Sequence, residues 1–239
     1  MEICKTLGEN EAMNAANPTP RRGRPPKALA QLTRATVREA ALTVIDSDGI
    51  AAVSMRSVSR LLGVDAKSLY HHVADKDDLL DAVAEHLLGQ LQPPAPTGDP
   101  KTDLRALAYE FRRVTLAHPE AATLVLTRPM STAAGLTPVE AVLSTLHQAG
   151  ADPEQAVRLT RVLVAALIGM LLREVSAGPT FGSTDPVAIA ARQSELEGSA
   201  LPEVVACAPF LARFERDEEF ASGVDLLTDF AAFQLVSLT

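Results

Sequence analysis

The chain has no tryptophan, two tyrosines and two cysteines among its 239 residues. Cys4 and Cys207 show no CxxC spacing, which argues against a disulfide framework or a zinc site and for a reducing compartment. No apolar run reaches the roughly 18 residues that a membrane span needs; the charge-free part of the most apolar segment runs only from Val162 to Leu172. The N-terminus lacks the apolar core of a signal peptide, so a cytoplasmic protein without membrane contact is expected. HExxH, GxSxG, P-loop and dinucleotide fingerprints are all missing. The five histidines, His71, His72, His86, His118 and His147, keep no metal-ligand spacing with Cys or carboxylates. Catalysis, a metal and a cofactor are therefore not expected. No internal repeat is evident, and the length suits one small plus one larger domain.

Cationic charge is scarce overall, with a formal net charge of −8, which by itself argues against generic nucleic-acid binding. The average hides an asymmetry. From Arg21 to Lys76 ten Lys/Arg face five Asp/Glu, a balance of +5, whereas residues 81–239 carry eleven against twenty, a balance of −9. Only the first part suits phosphate, and the acidic remainder should face away from a duplex.

What is present in that basic part is a pair of short helices around a glycine. Ser54 is a capping residue, and Met55, Val58, Leu61 and Leu62 recur at helical intervals. Gly63 can take the left-handed conformation that closes a helix, and Val64 plugs the turn into a core. Asp65 opens a second helix, where Leu69 and Val73 point inward and Ala66, Lys67, Ser68, Tyr70, His71 and His72 share the remaining surface. Two helices on a short Gly-containing turn form a helix-turn-helix, whose second helix enters the major groove with its first residues at base edges. Lys67 and Ser68 sit where that geometry needs donors. Residues 33–48, with Thr33 as cap and Val37, Ala41, Val44 and Ile45 on one stripe, complete a three-helix domain. Upstream, PRRGRPPKALA is too rich in Pro and Gly for a helix. Its Arg22 and Arg24 suit a narrow minor groove, or else simply a solvated tail.

The pattern SMRSVSRLLGV followed by SLYHHVADKDDLL resembles the DNA-binding domain of the tetracycline repressor (TetR) family over about residues 33–90. That resemblance implies a homodimer that binds double-stranded operator DNA and releases it when a small effector enters the C-terminal domain. By position it implies Arg56 on a guanine, Lys67 and Ser68 on bases, Tyr70 and His72 on a thymine methyl or the backbone, and Lys76 on a phosphate. Tyr70 and His72 also have a packing reading. Arg supports such a role chemically, because it can bond guanine in bidentate fashion.

The remainder reads as helices: 76–91 as a rod leaving the DNA domain, then 101–117, 119–126 and 137–149. The Pro-rich QPPAPTGDP (92–100) separates the first two. Asp152-Pro153 opens a long apolar helix ending near Gly178-Pro179, and 216–238 is another, with Phe220, Val224, Leu227, Phe230 and Leu235 on its apolar face. Two such helices per subunit suit a four-helix dimer interface. Residues 178–202 read as a mobile loop around a short helix at 186–197. The expected fold is all-α: a basic disordered arm at 1–32, a helix-turn-helix domain at 33–80 with its connecting helix at 76–91, and a ligand-binding and dimerisation domain at 92–239.

LRALAYEFRRVTLAHPEAATLVLTRP (104–129) and GADPEQAV resemble one branch of the family, the tetracycline repressors themselves. This resemblance implies Phe111 and Thr127 as ligand contacts. It also has departures: Leu124 stands where a histidine would hold magnesium, and Gln92 and Leu107 stand at polar drug-contacting positions. Leucine cannot ligate a hard cation, so a largely apolar effector positioned by a few polar groups fits better than a magnesium chelate. Thr115, His118, Thr127, Arg128, His147 and Arg173 are the polar choices, and Phe111, Met130, Met170 and Phe181 the bulky apolar ones. Each has a structural reading too, with His118-Pro119 ending a helix and Arg128 anchoring a loop. The competing functional class is an architectural DNA-binding protein without a ligand, against which the acidic C-terminal charge speaks.

Overall fold

The computed structural model describes residues 32–128, 133–177 and 181–236. The basic arm with Arg22 and Arg24, and Met130, lie outside them. Helices make up the described structure, with no named strand. They are α1 (Arg34–Asp48), α2 (Met55–Leu62), α3 (Ala66–Leu69), α4 (Lys76–Leu88), α5 (Pro100–Ala117), α6 (Ala122–Thr127), α7 (Ala133–Gln148), α8 (Pro153–Leu172), α9 (Pro186–Glu197), α10 (Pro202–Leu211) and α11 (Arg216–Val236).

Local chemistry fixes the starts. Thr33 and Ser54 each close a capping box, with Thr36 and Ser57, so two orphan donors per helix are satisfied reciprocally. Asp75, Asp99, Asp152 and Asp185 accept from the N–H three residues on, and Pro100, Pro153 and Pro186 follow at the first helical position, where a missing N–H costs nothing. Gly63 ends α2 with φ +66°, a left-handed conformation that a Cβ would strain, and Val64 N–H closes the turn on the Ser59 carbonyl.

One apolar core runs under α1–α4 and into the body. Val37, Ile45, Val58, Leu69, Leu79, Val83 and Leu87 are buried in one cluster with Val114 of α5 and Leu124 and Val125 of α6. A second cluster joins Leu104, Leu146, Leu159, Leu163 and Ala231, and a third joins Leu126, Leu171, Phe220 and Val224. In the body, α11 lies against α5 and α8, and α7 against α5 and α8. By length and hydropathy Pro153–Val175 would qualify as a membrane span; here it is packed against α7, α6 and α11.

Several expectations need correction. The second helix of the helix-turn-helix stops at Leu69: Tyr70 is its cap, and His71 and His72 close tight turns on Ser68 and Leu69, although Val73 still bonds the Leu69 carbonyl and is buried. Phe230 belongs to the outer side of α11, because packing against α5 and α8 selects Phe220, Val224, Thr228 and Ala231 as the inner one. The short helix expected at 186–197 is α9, and it forms a pair with α10, a helix the spacing did not announce. α7 begins at Ala133, so Pro138 lies inside it.

The strongest polar knot ties α5 to the ends of α8 and α11. Arg112 reaches Glu174 through Nε (3.0 Å) and Nη2 (2.6 Å), bonds Asp217 (2.6 Å) and lies 4.5 Å from the centre of the Phe220 ring. Both bonds to carboxylates hold the guanidinium above its ordinary range. The Glu174 side chain is 5% exposed and that of Asp217 87% exposed. Removing a buried partner strands a charge, whereas an exposed one is replaced by water. Glu174→Ala is accordingly expected to lower unfolding free energy by about 3–5 kcal/mol, and Asp217→Ala by less than ~1 kcal/mol, in urea titrations at neutral pH.

Candidate nucleic-acid interface and ligand cavities

Arg56 on α2, Lys67 on α3, Tyr70 just beyond it and Lys76 at the start of α4 are all exposed, on consecutive elements. Ser68 and His72 are half-buried. Tyr70 leaves 55% of its surface to solvent, an arrangement that core packing does not reward. The chain around these residues is held by contacts that local spacing could not reveal. Arg34, at the first turn of α1, bonds both carboxylate oxygens of Asp78 (3.0 and 2.6 Å) and the His72 carbonyl (3.1 Å). Asp78 also accepts from Ala74 N–H at 2.7 Å. The bond from Arg34 first, and that from Ala74 second, hold the Asp78 carboxyl below its ordinary value. The turn between α3 and α4 is thus clamped from α1, and His72 is oriented by its backbone.

Two further contacts bind this head to the body. Arg128, at the end of α6, bonds the Asp77 carbonyl and the carboxylates of Asp77 and Asp81 on α4. His118, capping α5, places Nδ1 at 2.9 Å from Asp46 on α1. Among the residues expected to meet an effector, His118 is therefore a joint between halves, outside both cavities. Thr115 is fully buried, with its hydroxyl donating to the Phe111 carbonyl. Thr127 is exposed, with its hydroxyl on the Thr123 carbonyl. Neither lines either of the two cavities described below. Each makes the i→i−4 bond that Thr readily forms in a helix.

Phe111 does line a cavity. It lies between α5, α7, α8 and α11, has a volume of about 90 Å³, and includes Leu91 and Pro93 from the segment after α4. Its lining is apolar except for Glu110 and Thr228, and both are engaged. Glu110 accepts from Gln92 N–H (2.7 Å) and pairs with Arg113, which holds it below the usual carboxylate range, and Thr228 donates to the Asp225 carbonyl. Leu124 is packed in the core beneath it, 5% exposed. Among the described residues no three His, Cys, Asp or Glu gather as metal ligands. Met170 and Arg173 line a second, wider cavity of about 430 Å³ with Phe181, Phe210, Phe214 and Phe220. Sequence reasoning passed over Arg213 there, although the interleaving of Phe210, Arg213 and Phe214 was visible.

Asp78 carries a pH dependence with a definite sign. Its folded pKa is depressed, so its stabilisation is complete above the ordinary value of 3.8 and is lost as pH falls through the folded value. Asp78→Asn is expected to cost about 1 kcal/mol at pH 7, a modest figure because both side chains are part-exposed. In denaturant titrations repeated toward acid pH, the gap between variant and wild type should close from the wild-type side.

Comparison with known proteins places these elements. Residues 37–83 match the family described as bacterial regulatory proteins, tetR family, and residues 92–229 match the tetracyclin repressor-like, C-terminal domain. An HTH-type transcriptional regulator of Saccharopolyspora erythraea is 38% identical over 120 residues, which are 50% of this chain and 51% of that protein. An HTH-type transcriptional repressor of Streptomyces coeruleorubidus is 33% identical over 156 residues, 64% of this chain and 55% of its own length. The chain spans about half the length of these curated relatives. The structure of ActR from Streptomyces coelicolor, in complex with actinorhodin, superimposes with a TM-score of 0.74 at 25% identity, covering 84% of this chain and 96% of that one. With a family match across more than half its length and the helix-turn-helix matched separately, the chain belongs to the tetracycline repressor (TetR) family.

Proposed function

We propose that the protein is a cytoplasmic, ligand-responsive transcriptional repressor, a homodimer that grips a palindromic operator and releases it when an effector fills the apolar cavity beside Phe111. One observation carries this reading. The exposed Arg56, Lys67, Tyr70 and Lys76 ride on a helix-turn-helix whose core is continuous with the body that encloses the cavity. ActR, of similar fold, has been solved with actinorhodin bound, which supports control by a small molecule. In this reading Arg56, Lys67 and Ser68 meet bases, Tyr70 and His72 a methyl or the backbone, Lys76 a phosphate, and Arg22 and Arg24 the minor groove.

Two exposed apolar stripes support the dimer. Val157 and Val162 on α8, with Leu226, Phe230 and Phe233 on α11, expose apolar surface, and only 28% of the apolar window of α8 is buried. Pairing these helices with their copies buries that surface in a four-helix arrangement. Such a dimer sets two α3 helices about one helical turn of DNA apart. Effector and operator then favour different arrangements of the dimer, and each weakens the other's binding by the same factor.

The test begins with selection of a binding site from random duplexes. Two half-sites about 10 bp apart, centre to centre, are expected in a footprint, whereas uniform coverage of any duplex would support an architectural protein instead. Arg56→Ala should weaken binding to the selected site by about tenfold to a hundredfold, corresponding to the ~1–3 kcal/mol of a bidentate guanine contact, with helicity unchanged. Unaltered specific affinity would remove Arg56 from the interface. Leu226→Asp combined with Phe233→Asp should yield a folded monomer by native mass that no longer protects both half-sites.

A further inference from the structure

The cavity beside Phe111 is too small for most effectors. At about 90 Å³ it falls below the ~150 Å³ that admits one benzene ring and far below the ~300 Å³ at which small-molecule sites begin. An occupant of ordinary size must displace part of the wall. The two cavities occupy successive turns of the same helix crossing. Leu167, Ile168, Val224 and Leu227 line the small one, and Met170, Phe220, Gly223 and Leu226 line the 430 Å³ one. Between them Met170 lies against Gly223, so closely that a Cβ at position 223 would come within 2.6 Å of its methyl carbon. Met170 lines the wide cavity next to the residues that line the small one, and it is an unbranched thioether with three rotatable bonds resting on a residue without a side chain, so it can be displaced at low cost.

The far cavity differs chemically from the near one. Glu174 is committed to Arg112 and lies 3.7 Å from Arg216, which leaves Arg173 and Arg213 against a single uncommitted carboxylate, Glu219. Among the described residues Arg173 and Arg213 have no carboxylate partner. Arg213 stands 5.3 Å from the Phe210 ring centre, so guanidinium and ring together present a cationic, aromatic surface. The segment that roofs it is fastened by paired backbone bonds, Ser183 N–H to Ala212 and Phe214 N–H to Ser183, both 2.9 Å. Gly182 permits this approach, since a Cβ there would meet the Arg213 carbonyl at 2.6 Å.

We propose that the two cavities are halves of one effector site joined when Met170 swings aside, and that the effector is an elongated aromatic anion. Its ring body enters the apolar half, and its carboxylate or sulfonate is held by Arg173 and Arg213. This rests on the reading of the chain as a ligand-responsive regulator and adds the chemical class of the ligand.

Two fluorescent probes with the same anilinonaphthalene body separate the two claims: 8-anilinonaphthalene-1-sulfonate, which is anionic, and N-phenyl-1-naphthylamine, which is neutral. The full-length protein is expected to bind the anion at least tenfold more tightly than the neutral probe. Arg173→Ala with Arg213→Ala should abolish that preference and leave the neutral probe's affinity unchanged. Met170→Ala should tighten the anion several-fold, and thermal melting confirms that each variant is folded. Equal affinity for both probes in the wild type, or equal losses in the double variant, would overturn the proposal while leaving the apolar cavity as a site. Failure of both probes to bind saturably would overturn the cavity reading along with it.

Discussion

The apolar core beneath the helix-turn-helix does not end with that unit. Val58 and Leu69 of the helix-turn-helix, Leu79, Val83 and Leu87 of α4, and Val114, Leu124 and Val125 of the body form one contiguous cluster. Close-packed side chains transmit displacement because they cannot be compressed, so neither half can move without the other responding. The ion pairs at the edges contribute less. Arg128 with Asp77 and Asp81, and Arg34 with Asp78, are part-exposed, and such pairs are worth about 0–1 kcal/mol each. A single fully buried leucine such as Leu79 contributes about 1.5–3 kcal/mol. The core supplies the rigidity of the joint, and the ion pairs fix its register.

How far the sequence discloses this depends on the range of the interaction. Caps act over three residues, so Thr33, Ser54 and Asp152 announce their helices, and Gly63 announces the turn. α10 escapes notice because Leu201 offers no capping side chain and Pro209 interrupts the helical pattern. The faces of α11 are ambiguous for another reason: apolar residues surround it, and only packing against α5 and α8 decides that Val224 is inside and Phe230 outside. His118 was visible as a polar group in the right segment, but its partner Asp46 lies 72 residues away. No local spacing carries that pairing, and the same is true of Arg34 with Asp78, 44 residues apart.

The ligand end shows the same division. Leucine at position 124 offers no ligand atom for a hard cation, and its side chain is buried in the core. Phe111, which the resemblance implied as a ligand contact, is one of the residues that line the apolar cavity. The hydroxyls of Thr115 and Thr127 are engaged within their own helices. A hydroxyl on a helix can always turn to its own carbonyl four residues back, and both do so here.

The placement of the cavity at one end of α4 gives it leverage over the other. Leu91 and Pro93, which follow α4, form part of the cavity wall, and Gln92 between them is tied to Glu110 on α5. Lys76 stands at the opposite end, next to the turn that Arg34 and Asp78 clamp. Thirteen helical residues span about 20 Å. A pivot of about 5° at the cavity would move the far end by roughly 1.7 Å over that length. Base contacts tolerate only the few tenths of an ångström that separate a good hydrogen bond from a poor one. In the proposed reading, a small rearrangement around an effector, carried along a helix that the common core keeps straight, would therefore be large on the scale of a base contact.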